Sequence, residues 1–318
     1  MKNKSYNNNK ISLYIIIIFM IILNYLISSF NKNVIINVRN INITNLIENK
    51  INFNETICRF VKQKLKKRIR PFDYEEELSF IISLILCKIP FSFVRFGDGE
   101  EHIMSGKPFA TGRDKWVWNN KDKQFQISLI KSASICKRAN NFIAISCKNW
   151  FIISKSVLSF SKCTNSRYMS YATLFINKNY QFFENWLVKF INTKNRWKII
   201  LIANSLINKD ITWAYKYYSI PEHVVEKWNE ISNSLLPKLE NEAKNNDLIF
   251  FVSAGPASNI IISNLITINN KNIYIDFGSA IEIITKGFST RSYINNGKNS
   301  YLRCESFYLK NHIPVYIE

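Results

Sequence analysis

Phe91-Ser-Phe-Val-Arg-Phe-Gly-Asp-Gly-Glu-Glu-His-Ile-Met-Ser-Gly-Lys107 is the stretch from which the fold is read. Its first six residues are mostly aromatic or β-branched, which predicts a strand over Phe91–Phe96. The strand stops at Gly97-Asp98-Gly99-Glu100. Only 8 glycines occur in 318 residues, and three of them fall at 97, 99 and 106. In so glycine-poor a chain, the cluster marks a place where the backbone turns or a ligand comes close. Asp98 and Glu100 are hard oxygen donors at the strand's end, able to converge on one point and hold Mg2+ or Mn2+. The same residues could instead form a tight turn whose carboxylates cap the next helix. The residues alone leave both readings open.

Working outward, apolar runs alternate with amphipathic segments. Helices are predicted over 75–88 and 123–137, along the face Phe182, Phe183, Trp186, Leu187, Phe190 and Ile191, and along Val224, Val225, Trp228, Ile231, Leu235 and Leu239. Strands are predicted over 141–146, 198–203, 248–252 and 272–277, with a helix over 257–268. This alternation predicts an α/β, Rossmann-like domain over 71–318, a mainly parallel sheet with helices on both faces. In such sheets ligands bind beyond the carboxyl ends of the strands. Two further predicted strand ends carry suitable chemistry. Ser253-Ala-Gly-Pro-Ala-Ser258 could seat a phosphate on the N–H groups of the following helix, with Ser253 and Gly255 at the ligand, or could serve only as a cap. Asp276-Phe-Gly-Ser279 could bond a sugar hydroxyl or cap the helix after it. Arg291, in the polar loop that follows, could pair with phosphate. His102, beside the acidic turn, is a candidate substrate contact. No GxSxG, HExxH or Ser/His/Asp pattern accompanies His102, His223 and His312, which disfavours hydrolase triads.

The N-terminal part has a different character. Ile11 to Phe30 is an almost wholly apolar run of 20 residues, the length that crosses a bilayer. Lys2, Lys4 and Lys10 precede it without an acid. This predicts a cytosolic tail over 1–10, a signal-anchor helix over 11–30 and a non-cytosolic, luminal (Golgi- or ER-like) catalytic domain. A cleaved signal peptide is the rival reading. The net charge of +20 is concentrated early. Residues 1–70 hold thirteen Lys and Arg against Glu48 and Glu55, seven of them between Arg59 and Arg70. A basic, solvated stem over 31–70 is expected, an anionic membrane or nucleic-acid patch being the sharper alternative. Sequons at Asn42 and Asn54 agree with a luminal stem. Six cysteines without CxxC or zinc spacing allow one or two disulfides or ordinary thiols, and do not select a pairing.

The motif Phe93-Val-Arg-Phe-Gly-Asp-Gly-Glu100, followed by Ile103 and Gly106-Lys107, resembles the opening strand and turn of the GT-D-fold glycosyltransferases. Phe251-Val-Ser-Ala-Gly-Pro256 and Tyr274-Ile-Asp-Phe-Gly-Ser279 resemble that family's later strands and loops, in the same order. The resemblance spans roughly residues 90–295. It implies a nucleotide-sugar donor, with a UDP-sugar favoured, and a glycan or glycoconjugate acceptor. It implies Asp98 and Glu100 as catalytic residues at a Mn2+ or Mg2+ ion. Arg95, Gly97, Gly99, Ser253, Gly255, Asp276 and Arg291 would then bind the donor. Residues 110–240 match nothing in the family that can be quoted. Two readings compete. One is an S-adenosylmethionine methyltransferase, disfavoured because no acid follows the strand at 141–146. The other is a non-catalytic, membrane-tethered binder of nucleic acid or acidic glycans. It rests on charge without a recognition module, so a nucleic-acid partner is not expected.

Overall fold

The structure, a computed structural model, describes residues 55–69, 71–111, 116–119, 123–137, 140–145, 159, 166–176, 179–193, 197–204 and 211–289. Strand β1 (Phe91–Phe96) lies near the middle of a seven-stranded sheet. On one side it pairs with β4 (Asn141–Ile145), which pairs with β5 (Met169–Tyr171). On the other it pairs with β9 (Ile273–Asp276), and β8 (Leu248–Ser253), β6 (Lys198–Asn204) and β7 (Lys216–Ile220) follow. The order is β5-β4-β1-β9-β8-β6-β7, and every pairing is parallel. A parallel sheet needs both faces covered, which is why β4 and β8 read as continuous apolar runs rather than alternating ones.

Eight helices are described: α1 (Glu55–Lys67), α2 (Tyr74–Leu86), α3 (Asp98–Met104), α4 (Lys123–Ala133), α5 (Tyr180–Ile191), α6 (Trp228–Ala243), α7 (Ala257–Ile268) and α8 (Glu282–Lys286). Val94, Phe96, Ile143, Phe250, Val252 and Tyr274 face one way. They form a single core with Phe125 and Leu129 of α4, Trp228 and Leu239 of α6, and Ile261 and Leu265 of α7. The alternate strand residues face the other way. There Phe93 meets Phe175, Phe251 meets Phe277, and Phe183 of α5 and Phe80 of α2 complete an aromatic layer. The predicted layered α/β architecture is therefore present, and its sheet is wholly parallel.

The short antiparallel hairpin of β2 (Phe109–Thr111) and β3 (Trp116–Trp118) was not expected, nor were β5 and β7. Three of these have only three residues, too few to show a period. The fourth, Lys216-Tyr-Tyr-Ser-Ile220, is an edge strand with mostly solvent-facing side chains. Val224 and Val225, expected on a helix, are buried in the turn before α6.

The expected anchor at 11–30 and the acceptor residues Asn42 and Asn54 of the two sequons lie outside the described residues. Among the described residues no helix is long and apolar enough to cross a membrane. The expected stem carries, from Glu55, helix α1, which is fastened to α2. Cys58 is disulfide-bonded to Cys87, with Cα atoms 5.3 Å apart. Arg68 and Glu77 form a fully buried ion pair at 2.8 Å. The Glu77 carboxylate also accepts from Ser170 Oγ at 2.6 Å and Phe72 N at 3.0 Å, and Arg68 Nη2 donates to the Met169 carbonyl. The described compact unit therefore begins well before residue 71, because α1 shares its covalent and polar fastenings. Cys147, Cys163 and Cys304 lie outside the described residues.

The Cys58–Cys87 bond closes a separation of 29 residues. By the chain-entropy estimate, Cys58→Ser with Cys87→Ser lowers unfolding stability by about 3–4 kcal/mol. Denaturant unfolding with and without reductant checks this. Glu77→Ala, which strands a buried guanidinium, costs about 3–5 kcal/mol in the same assay.

Candidate functional site

The Gly97–Glu100 segment is the beginning of a helix. Gly97 is its N-cap with φ −94° and ψ −165°, extended backbone that any residue adopts. Glu100, in the first turn of α3, folds back so that its Oε2 accepts from Gly97 N at 2.8 Å. Asp98 is exposed and accepts from Gly99 N at 3.0 Å. Residues two apart on a helix do not face each other. Both expected metal ligands therefore lie in the first turn of α3, Glu100 turned back on Gly97 and Asp98 outward. Among the described residues no group of three or more His, Cys, Asp or Glu could hold a metal. Only Asp98 presents an open carboxylate. Glu100 is partly covered, and removal from water pushes its carboxyl up to about 7. Backbone N–H groups and Arg95 oppose that shift, and the negative Asp276 adds to it.

Beside Glu100, the carboxyl ends of β1 and β9 are locked together. Arg95 Nε donates to Asp276 Oδ2 at 3.1 Å, and its Nη1 reaches the Ala172 carbonyl at 3.4 Å. Asp276 Oδ1 accepts from Gly278 N at 3.0 Å. Burial pushes the Asp276 carboxyl upward against the pull of Arg95. Gly278 has φ +50°, and a Cβ there would lie 1.6 Å from Arg95 Nη2. Glycine is thus required twice, by backbone hand and by the guanidinium that fills its side-chain space. Asn259 of α7 donates to the Arg95 carbonyl at 2.7 Å, leaving its own Oδ1 buried without a partner. Asp276, expected at a sugar hydroxyl, is therefore engaged by the protein, as is Arg95.

The loop after β8 joins the same end. Ser253 Oγ donates to the Gly278 carbonyl at 2.7 Å, and Ser258 Oγ accepts from Ala254 N at 3.0 Å. Both serines thus brace the loop. Gly255 has φ +54°, and Pro256 stands as the N-cap of α7. Trp116 of the hairpin is a wall common to both loops. A Cβ on Gly99 would lie 2.9 Å from its ring, and one on Gly255 would lie 3.6 Å from its Nε1. Gly99 thus leaves room for the indole that packs on it. The hairpin is tethered in turn by Val117 N, which donates to Glu226 at 2.7 Å. His102 stacks on Phe109 at 4.8 Å, and Phe109 leans on Trp116 at 5.4 Å.

The structure thus brings Arg95, Gly97, Asp98, Gly99, Glu100, Ser253, Gly255 and Asp276 to one end of one sheet. Arg291 and His312 lie outside the described residues, and His223 sits with Glu226 at 3.3 Å. Trp116 and Asn259 belong to the constellation and were not singled out from the sequence, and Gly278 was quoted only as part of the Asp276–Ser279 motif, with no role of its own. Glycine scarcity is a signal that could have marked Gly278. A separate surface depression lined by Lys244, Ile266, Asn269 and Lys271 lies where β8 and β9 begin, at the opposite end of the sheet.

No family model matches the sequence, and none of the curated proteins does. The fold is similar to two solved structures of a domain of unknown function 1792, one of them described as having a distinct glycosyltransferase fold. That structure shares 16% identity, the other, a selenomethionine form, 14%. Each match covers 76% of this chain and 93% of the other, with a TM-score of 0.46.

Two outcomes test this geometry. Gly278→Ala forces both the left-handed backbone and the Arg95 side chain to move, so it lowers the melting temperature far more than Gly97→Ala. The latter meets only Glu100 Oε2, at 3.1 Å, in an ordinary extended conformation. The second outcome concerns pH. The Glu100 carboxyl is raised from 4.5 to about 7 on folding, so the folded state holds its proton more tightly than the unfolded one. That contribution is complete below pH 4.5 and is lost as pH rises through about 7. Glu100→Gln therefore gains stability relative to the parent across that interval. Thermal unfolding at a series of pH values checks it, and a difference that does not change with pH contradicts it.

Proposed function

We propose that this chain is a glycosyltransferase that moves a sugar from a nucleoside-diphosphate donor to an acceptor hydroxyl. The observation that carries this reading is the gathering of the loops after β1, β8 and β9 at one end of the sheet. There an exposed carboxylate, a 12-residue helix start and a buried ion pair lie together. The three motifs that resemble GT-D-fold enzymes are those three loops. The donor's diphosphate would lie across the start of α7, where backbone N–H groups and the positive end of the helix favour the charge that grows on the leaving group. The Arg95–Asp276 pair would act beneath it as a fixed floor. Mn2+ or Mg2+ carried on the diphosphate would meet Asp98 first and would neutralise the departing charge. Glu100 would join it through Oε1, the oxygen that Gly97 N–H does not hold.

A membrane-attached, non-cytosolic setting belongs to the same proposal. The apolar run at 11–30 supports it, and so does a disulfide, a bond kept in oxidising compartments.

The full chain, purified in detergent and offered UDP- and GDP-sugars with mixed glycan acceptors, should release one nucleoside diphosphate, more so with Mn2+. Asp98→Asn should stay folded and lose about 100-fold or more in turnover. If no donor is consumed and no nucleoside diphosphate binds, while S-adenosylmethionine does bind, the proposal fails.

A further inference from the structure

Helix α1 presents a second chemical face that sugar transfer does not use. Val61 and Leu65 turn inward, and Cys58 and Arg68 fasten the same side to the domain. Arg59, Lys62 and Lys66, spaced i, i+3 and i+7, form a stripe on the opposite side, with Lys67 beside it, all four exposed. Two other cations of this basic run are already engaged within the domain, Lys64 with Glu76 at 2.7 Å and Arg68 with Glu77. The acid on the outer face is Glu55, 3.7 Å from Arg59. At the margins of the stripe stand two large apolar side chains, Phe60 at 36% and Ile69 at 72% exposure.

From this we infer that the outer face of α1 rests on an anionic lipid surface. Cations arrayed along one side of a helix match a plane of acidic headgroups, and flanking apolar side chains can enter the headgroup layer. A nucleic-acid strand would match the cations and could stack a base on Phe60, but it offers no apolar layer to Ile69, the more exposed of the two. The inference rests on α1 and the residues that directly follow it, and holds whether or not the chain transfers sugar.

The test uses the full chain with phosphatidylcholine vesicles, with or without phosphatidylserine. Each set carries a trace of phosphatidylserine or phosphatidylcholine bearing a photoactivatable headgroup. Crosslinked peptides are mapped by mass spectrometry. Peptides spanning 59–69 should be labelled at least about fivefold more by the phosphatidylserine probe, and high salt should abolish the difference. Lys62→Glu/Lys66→Glu/Lys67→Glu changes only exposed positions and should keep the parent's circular dichroism while losing that labelling. Equal labelling by the two probes, labelling confined to other peptides, or undiminished labelling of the triple variant would each overturn the inference. So would binding of oligouridylate or heparin through the same lysines without lipid labelling. Donor consumption is measured separately, so failure here leaves the transferase reading where it stands, and failure of that reading leaves this one.

Discussion

The Arg95–Asp276 ion pair, seated on a glycine that leaves room for it, is the constraint around which the site is arranged. Its members come from neighbouring strands at the centre of the sheet, and the Arg95 side chain is only 20% exposed and that of Asp276 3%. A buried ion pair is a poor source of net stability, since desolvation offsets most of the attraction. Its value lies in geometry. The guanidinium occupies the space a side chain at residue 278 would need, Asp276 holds the Gly278 amide, and Ser253 holds the Gly278 carbonyl. Asn259 fixes the Arg95 backbone from the opposite layer. Three loops that are distant in sequence are thereby tied into one rigid rim.

That rim has a consequence for charge. Asp276 and Glu100 share one poorly hydrated corner with a single guanidinium among their near partners, so both carboxyls are pushed upward. Asp98, on the same turn as Glu100, remains open to water. Trp116 closes one side. It leans on the Gly99 turn and faces the Gly255 loop, so the hairpin that carries it sets how far the two loops stand apart.

Much of this was legible in the sequence. Fully buried parallel strands produce apolar runs with abrupt ends, and the runs at 91–96, 141–145 and 248–253 could hardly be anything else in alternation with helices. The positions of the three loops followed from the architecture. Other features were less legible. Asp98-Gly-Glu-Glu reads equally as a turn or as the acidic first turn of a helix, and the structure has the second. The basic run from Arg59 resembles a solvated stem because α1 buries only Val61 and Leu65 among its charges, and its fastening to α2, through Cys58–Cys87 and Arg68–Glu77, follows no local pattern. Asn259 was hidden by the abundance of asparagine. Trp116 had no signal of its own, since a lone aromatic in an aromatic-rich chain is ordinarily core.

The central claim is that the tied rim forms one binding crevice for a nucleoside diphosphate. The chain's 8 glycines make this directly observable, because selective 15N-glycine labelling yields few amide signals, assignable by substitution. Titration of the full chain with UDP or GDP in the presence of Mg2+ should shift Gly97, Gly99, Gly255 and Gly278 together, leaving Gly106 and Gly287 in place. If the four signals stay fixed, or if only glycines away from the rim respond, the crevice does not bind the donor and the account is wrong.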